Sequence, residues 1–194
     1  MSDFIRDLAI PDVKVIRPVK HGDHRGYFSE VYNREALAKV GFSLDFVQDN
    51  QSFSQAPWTL RGLHFQIGPF AQAKLIRVLQ GSVYDVAVDL REGSPTKGRW
   101  VSVMLSATTG NQILIPSGFA HGILTLEPDT EVLYKVTTHY SPPHDKGLAW
   151  DDPDLAIDWP LEGNAPILSD RDTKNPRYAD MAPTFGPDGA GLTP

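Results

Sequence analysis

Between Lys74 and Thr138 the chain breaks repeatedly into short β-rich runs closed by turn signals, a cadence that leaves little room for a helical architecture. Lys74 to Leu79 is followed by Gln80-Gly81, and Ser82 to Leu90 by the loop Glu92-Gly93-Ser94-Pro95-Thr96-Lys97-Gly98. Trp100 to Leu105, Gln112 to Ile115 and Thr130 to Thr138 supply three more strands, with Thr109-Gly110-Asn111 turning into the second of these. Strands at this spacing, joined by turns, predict an antiparallel sandwich or barrel rather than βαβ units. Only Arg34 to Val40 reads as helix, with Asn33 as a candidate N-cap and Gly41 closing it. It is short enough to be peripheral.

Within Val83 to Leu90, Tyr84, Val86, Val88 and Leu90 share one face, and Val83, Asp85, Ala87 and Asp89 the other. Two aspartates among small residues suit a polar barrel lumen or rim better than a packed face. From about Ser141 the composition turns to Pro, Asp and Trp, which predicts a long irregular covering segment. The expected organisation is one domain over residues 1–185 and a loose Gly/Pro-rich tail over 186–194. The absence of cysteine rules out disulfides and thiolate chemistry. No signal-peptide pattern or membrane-length apolar run stands out, so the expected location is cytoplasmic. With 18 Lys+Arg against 24 Asp+Glu and no basic stripe, the chain does not read as a nucleic-acid binder. A few converging cations would still serve a phosphorylated metabolite.

Three titratable groups stand out: His64 in Arg61-Gly62-Leu63-His64-Phe65-Gln66, Lys74, and His121 in Ile115-Pro116-Ser117-Gly118-Phe119-Ala120-His121. They could hold a metal, hold a ligand or move protons. The spacing from Gly110 through Pro116 and Gly118 to His121 resembles the second motif of the cupin superfamily of small β-barrels. The first motif departs from the metal-binding pattern, with His64-x-Gln66 for His-x-His and Lys74 where metal cupins place a carboxylate. Zinc or iron needs three or more protein ligands, so a metal-dependent cupin oxygenase or isomerase is the disfavoured alternative, and no metal is expected. In the proton-transfer reading His64 is a general base, Asp85, Asp170 and Asp172 are candidates to orient it, and Tyr134 is a matching acid. The plainer reading makes His64 a hydrogen-bonded core histidine.

The motifs together resemble the dTDP-4-dehydrorhamnose 3,5-epimerase family. The matching pieces begin with Asp23-x-Arg25-Gly26-x-Phe28-x-Glu30, Val47-Gln48-Asp49-Asn50, Leu60 to Gln66, and Gln72-x-Lys74 to Val78. They continue through Asp85 to Arg91 with Ser94-Pro95-Thr96, Ile115 to Gly122, Thr130-Glu131-x-x-Tyr134-Lys135, and Leu168 to Asp172. The order and number of these pieces make the match specific, from about residue 13 to 176. It implies an all-β, cupin-like jelly roll with a few short peripheral helices, a homodimer, and cofactor-independent inversion of C3 and C5 in a nucleoside-diphospho-4-keto-6-deoxyhexose. It further implies His64 as base, Asp172 as its orienting partner, Tyr134 as acid on the opposite face of the sugar, and Lys74 beside the enolate oxygen. Arg61 suits the diphosphate, and Gln48, Asn50, His121 and Arg171 are implied to line the site. Arg25 and Glu30 are implied nucleotide contacts reaching from the partner subunit, and Asp145 falls where relatives carry an acidic binding residue. An epimerase inverting only C3, or acting on another nucleotide ketosugar, would need the same residues.

Overall fold

The computed structural model describes residues 4–191. Strands β1 (Ile5–Asp7), β2 (Lys14–Ile16), β3 (His21–Asp23) and β4 (Gly26–Phe28) precede the helix α1 (Arg34–Lys39). The body contains β5 (Gln48–Ser54), β6 (Leu60–Gln66), β7 (Lys74–Gln80) and β8 (Ser82–Asp89). It continues with β9 (Trp100–Ser106), β10 (Gln112–Ile115), β11 (Phe119–Thr125) and β12 (Thr130–Val136), and β13 (Asp145–Gly147) follows. Three single 3-10 turns, Pro142–His144, Asp172–Lys174 and Tyr178–Asp180, punctuate the C-terminal region.

Two antiparallel sheets face each other as a cupin-like jelly roll, ordered β1-β2-β10-β7-β12-β5 and β13-β6-β11-β8-β9. Period-2 alternation explains the three packed layers. Ile76, Val78, Ile113 and Val132 from the first sheet meet Val83, Ala87, Leu105 and Phe119 from the second in the interior. The opposite face of the second sheet, with Leu63, Phe65, Val86, Val88 and Leu90, is covered by Leu148, Leu155, Trp159 and Phe185. The irregular C-terminal segment is therefore a third apolar layer, as its Trp and Pro content suggested. Leu37 of α1 packs with Leu75 and Leu114 against the outer face of the first sheet. Asn33 caps that helix as expected, its Oδ1 accepting from the Ala36 N–H.

The two aspartates of β8 serve different ends. Asp89 accepts from Arg91, Ser94 and Thr96, which makes the Ser94-Pro95-Thr96 motif a structural clamp on the β8–β9 loop. Asp85 is buried behind the cleft described below, where it meets His121. The expected loose tail needs correction over residues 186–191. Gly186 donates to the Ala190 carbonyl, and the Ser117 hydroxyl donates to the Gly189 carbonyl at 2.6 Å. Glycine permits this docking, because a Cβ on Gly191 would overlap the backbone of Gly68. Residues 192–194 lie outside the described residues.

Candidate active site

The site begins with an irregularity in β6. Opposite β11, His64 pairs with His121 and Arg61 with Ile123, so β6 advances three residues while β11 advances two. Residues three apart on a regular strand point to opposite faces, and one inserted residue brings them to the same face. Arg61 and His64 accordingly enter one cleft, whereas Leu63 packs outward. Gly62 makes this possible. Its φ is +143°, and a Cβ there would lie 2.6 Å from Gly122 Cα.

The cleft has a volume of about 660 Å³, within the usual range for small-molecule sites. One wall carries Arg61, His64 and His121 from β6 and β11, and the opposite wall carries Asn50, Lys74 and Tyr134 from β5, β7 and β12. Asp145, Arg171, Asp172 and Tyr140 close one end.

His64 Nε2 lies 2.6 Å from Asp172 Oδ1, a partner 108 positions away in sequence. Burial raises the Asp172 pKa, but hydrogen bonds from His64 and Ser169 and the Arg171 charge outweigh it, leaving the carboxyl below its ordinary range. Asp85, the other orienting candidate, instead meets His121, whose Nε2 is 3.0 and 2.9 Å from its two oxygens. The Asp85 carboxyl is buried, and desolvation pushes its pKa up against the pull of His121 and Lys74. The third candidate, Asp170, is exposed, and the turn uses its backbone carbonyl to accept from Thr173.

Lys74 ends in the cleft, with its Nζ 3.4 Å from the His64 carbonyl and no carboxylate within ion-pairing distance among the described residues. Protein encloses the ammonium although part of the side chain remains accessible, and desolvation lowers its pKa from 10.5 to about 8 against the opposing charges of Asp145 and Asp85. Desolvation raises the Tyr134 phenol, opposed by Arg61, so its hydroxyl stays protonated at neutral pH. Arg61 is braced by Nε on Ser54 Oγ at 3.2 Å and Nη2 on the Phe53 carbonyl at 3.0 Å. Arg171 pairs with Asp145, whose Oδ2 also accepts the Tyr140 hydroxyl at 3.2 Å.

Gln48 is one bond removed from the cleft, donating to Asn50 Oδ1 at 2.7 Å. Arg25 and Glu30 do not reach it within this chain. Arg25 sits exposed on the β3–β4 hairpin, paired with Asp23, and Glu30 accepts from Asn33. Gln66 lines the cleft, and its buried amide holds the Phe70 and His139 carbonyls and the Ser141 N–H. Among the described residues no three His, Cys, Asp or Glu side chains converge as metal ligands would. Sequence reasoning passed over Tyr140, Gln72 and Ser169, which also line the cleft. Ser169 lay inside a quoted motif, but no spacing rule exposed its contact with Asp172.

A family model described as dTDP-4-dehydrorhamnose 3,5-epimerase matches residues 7–180. The chain belongs to that family. A curated dTDP-4-dehydrorhamnose 3,5-epimerase from Sinorhizobium fredii is 49% identical over 182 residues, which are 94% of this chain and 93% of the relative. The crystal structure of the Bacillus anthracis 3,5-epimerase with TDP and PPi bound superposes with a TM-score of 0.86 at 49% identity, covering 89% of this chain and 98% of that one. The Legionella pneumophila dTDP-6-deoxy-D-glucose-3,5-epimerase, solved in complex with dTDP-4-keto-L-rhamnose, gives 0.87 at 42% identity, covering 92% and 94%. This family member is thus an isomerase, an epimerase of sugar nucleotides.

Proposed function

We propose that this epimerase inverts C3 and C5 of dTDP-4-keto-6-deoxyglucose, a step of dTDP-L-rhamnose formation, by two enolate-forming proton transfers. One observation carries the mechanism. His64, backed by Asp172, and the Tyr134 hydroxyl stand on opposite walls of one cleft, with the Lys74 ammonium between the sheets. C3 and C5 both flank the C4 ketone, so loss of either proton forms an enolate with its charge on O4. With His64 Nε2 turned to Asp172, Nδ1 takes the C–H proton, and the C–H electrons become the carbon–carbon π bond while O4 gains the charge. Lys74 stabilises that charge inside an enclosed site better than water does. Tyr134 then delivers its proton to the opposite face of the same carbon, which inverts it, and the phenolate and imidazolium re-equilibrate with solvent.

Arg61 and Arg171 supply positive charge for the diphosphate, with Arg61 already braced by Ser54 and the Phe53 carbonyl. Gln48, Asn50, His121 and Asp145 complete the binding surface in this reading. The exposure of Arg25 and Glu30 away from their own cleft supports a homodimer in which the β3–β4 region serves the neighbouring site. Substituting His64→Asn and incubating with the ketosugar in D₂O tests the base assignment. The expected result is no deuterium at C3 or C5, and exchange at the wild-type rate would refute the assignment.

A further inference from the structure

The geometry points to Ser169 as a positioning residue for the His64–Asp172 pair, an inference that rests on His64 being the base. Its hydroxyl donates to Asp172 Oδ2 at 2.9 Å and accepts from the Asp172 backbone N–H at 3.2 Å. One side chain therefore fixes both the backbone and the carboxylate plane of the same residue. Asp172 needs such a device because it stands in a single 3-10 turn, Asp172–Lys174, with no strand pairing to hold it. It is nonetheless buried, at 4% exposure.

The other carboxylate oxygen is bracketed as well. Asn175 Nδ2 lies 3.4 Å from Oδ1, the oxygen that meets His64. Gly147, opposite His64 in the β13–β6 ladder, leaves room for that amide, because a Cβ there would fall 2.5 Å from Asn175 Oδ1. Ser169 thus holds the carboxylate from the side away from the histidine, so that Oδ1 stays on Nε2. A carboxylate free to rotate would lose this alignment, and supporting groups of this kind typically contribute about 10- to 100-fold to activity at metal–histidine sites. The charged groups facing the carboxylate are His64 on β6 and Arg171 on its own turn, with Asp145 of β13 engaged by Arg171.

The test compares Ser169→Ala, Ser169→Cys and Ser169→Thr with His64→Asn, reading kcat, KM, the pH profile of kcat/KM and solvent deuterium exchange. Ser169→Ala should lower kcat about ten-fold or more with little change in KM. The acid limb, which belongs to the His64–Asp172 pair as a unit, should move to higher pH as the carboxylate loses a donor favouring its charged form. Threonine should restore most of both effects, and cysteine, a weaker donor, should fall between. Wild-type kcat and an unmoved acid limb in Ser169→Ala would overturn the inference, as would wild-type behaviour of Ser169→Cys if the alanine variant does not fold. A raised KM with threonine as damaging as alanine would also overturn it, marking Ser169 as cleft wall only. Exchange retained in His64→Asn would instead overturn the base assignment itself, a result the Ser169 variants cannot mimic.

Discussion

Replacing Lys74 by Met should make the protein more stable and much less active. The unbranched methionine side chain fills most of the same space, one heavy atom shorter, and carries no charge. Desolvation takes the Lys74 pKa from 10.5 to about 8. At about 1.36 kcal/mol per pH unit, holding the charged form in the cleft costs roughly 3 kcal/mol. A developing enolate next to the ammonium recovers that cost in the transition state and not before. The expected loss in kcat is therefore about 100-fold or more, in line with removal of one oxyanion-stabilising donor. The stability effect has the opposite sign. A lysine with a depressed folded-state pKa destabilises the fold below about pH 8, and the penalty disappears as pH rises from about 8 towards 10.5. Lys74→Met should raise Tm at pH 7 by several degrees, up to a bound of about 3 kcal/mol, with the advantage shrinking by pH 10. Thermal melts at both pH values, paired with a coupled epimerase assay, check both arms. A variant that keeps wild-type kcat, or melts lower than wild type at pH 7, refutes the reasoning.

Tyr134→Phe removes the acid and leaves the base, so solvent exchange at C3 or C5 should persist while net inversion collapses; NMR of the recovered sugar should show deuterium with retained configuration. Wild-type kcat/KM should decline as pH rises through about 8, where Lys74 loses its proton, and Lys74→Met should lack that limb. Arg61→Ala should weaken binding of dTDP about ten- to hundred-fold, the scale of a lost charge-assisted hydrogen bond, as measured by calorimetry. Gly62→Ala meets both a φ of +143° and a 2.6 Å approach to Gly122 Cα, so it should cost at least about 2 kcal/mol in denaturant unfolding; an unchanged midpoint would contradict the bulge geometry.

Ser82–Asp89 and Lys74–Gln80 were readable as strands from their apolar runs and the turn signals that close them, whereas Phe119–Thr125, which meets both apolar layers, was read only as a motif around His121. Strand β5, Gln-Asp-Asn-Gln-Ser-Phe-Ser, escaped a propensity reading because its inner face is the polar floor of the cleft and its neighbours are exposed. The three-residue strand Asp145–Gly147 is too short to show any period, yet it flanks the His64 strand. Simple alternation would also have put Arg61 and His64 on opposite faces, and only the bulge at Gly62 reunites them. The polar face of β8 was legible as unusual, but its aspartates went to His121 and to the Arg91 loop. Choosing Asp172 for His64 required the family resemblance, because a contact across 108 residues leaves no local pattern.

The central claim is that both carbons flanking the ketone lose and regain a proton in one cleft. Incubating wild-type enzyme with dTDP-4-keto-6-deoxyglucose in D₂O and assigning the product by NMR tests this directly. Deuterium should appear at C3 and at C5, with both centres inverted. Deuterium and inversion at C3 alone, or inversion without solvent deuterium, would contradict it.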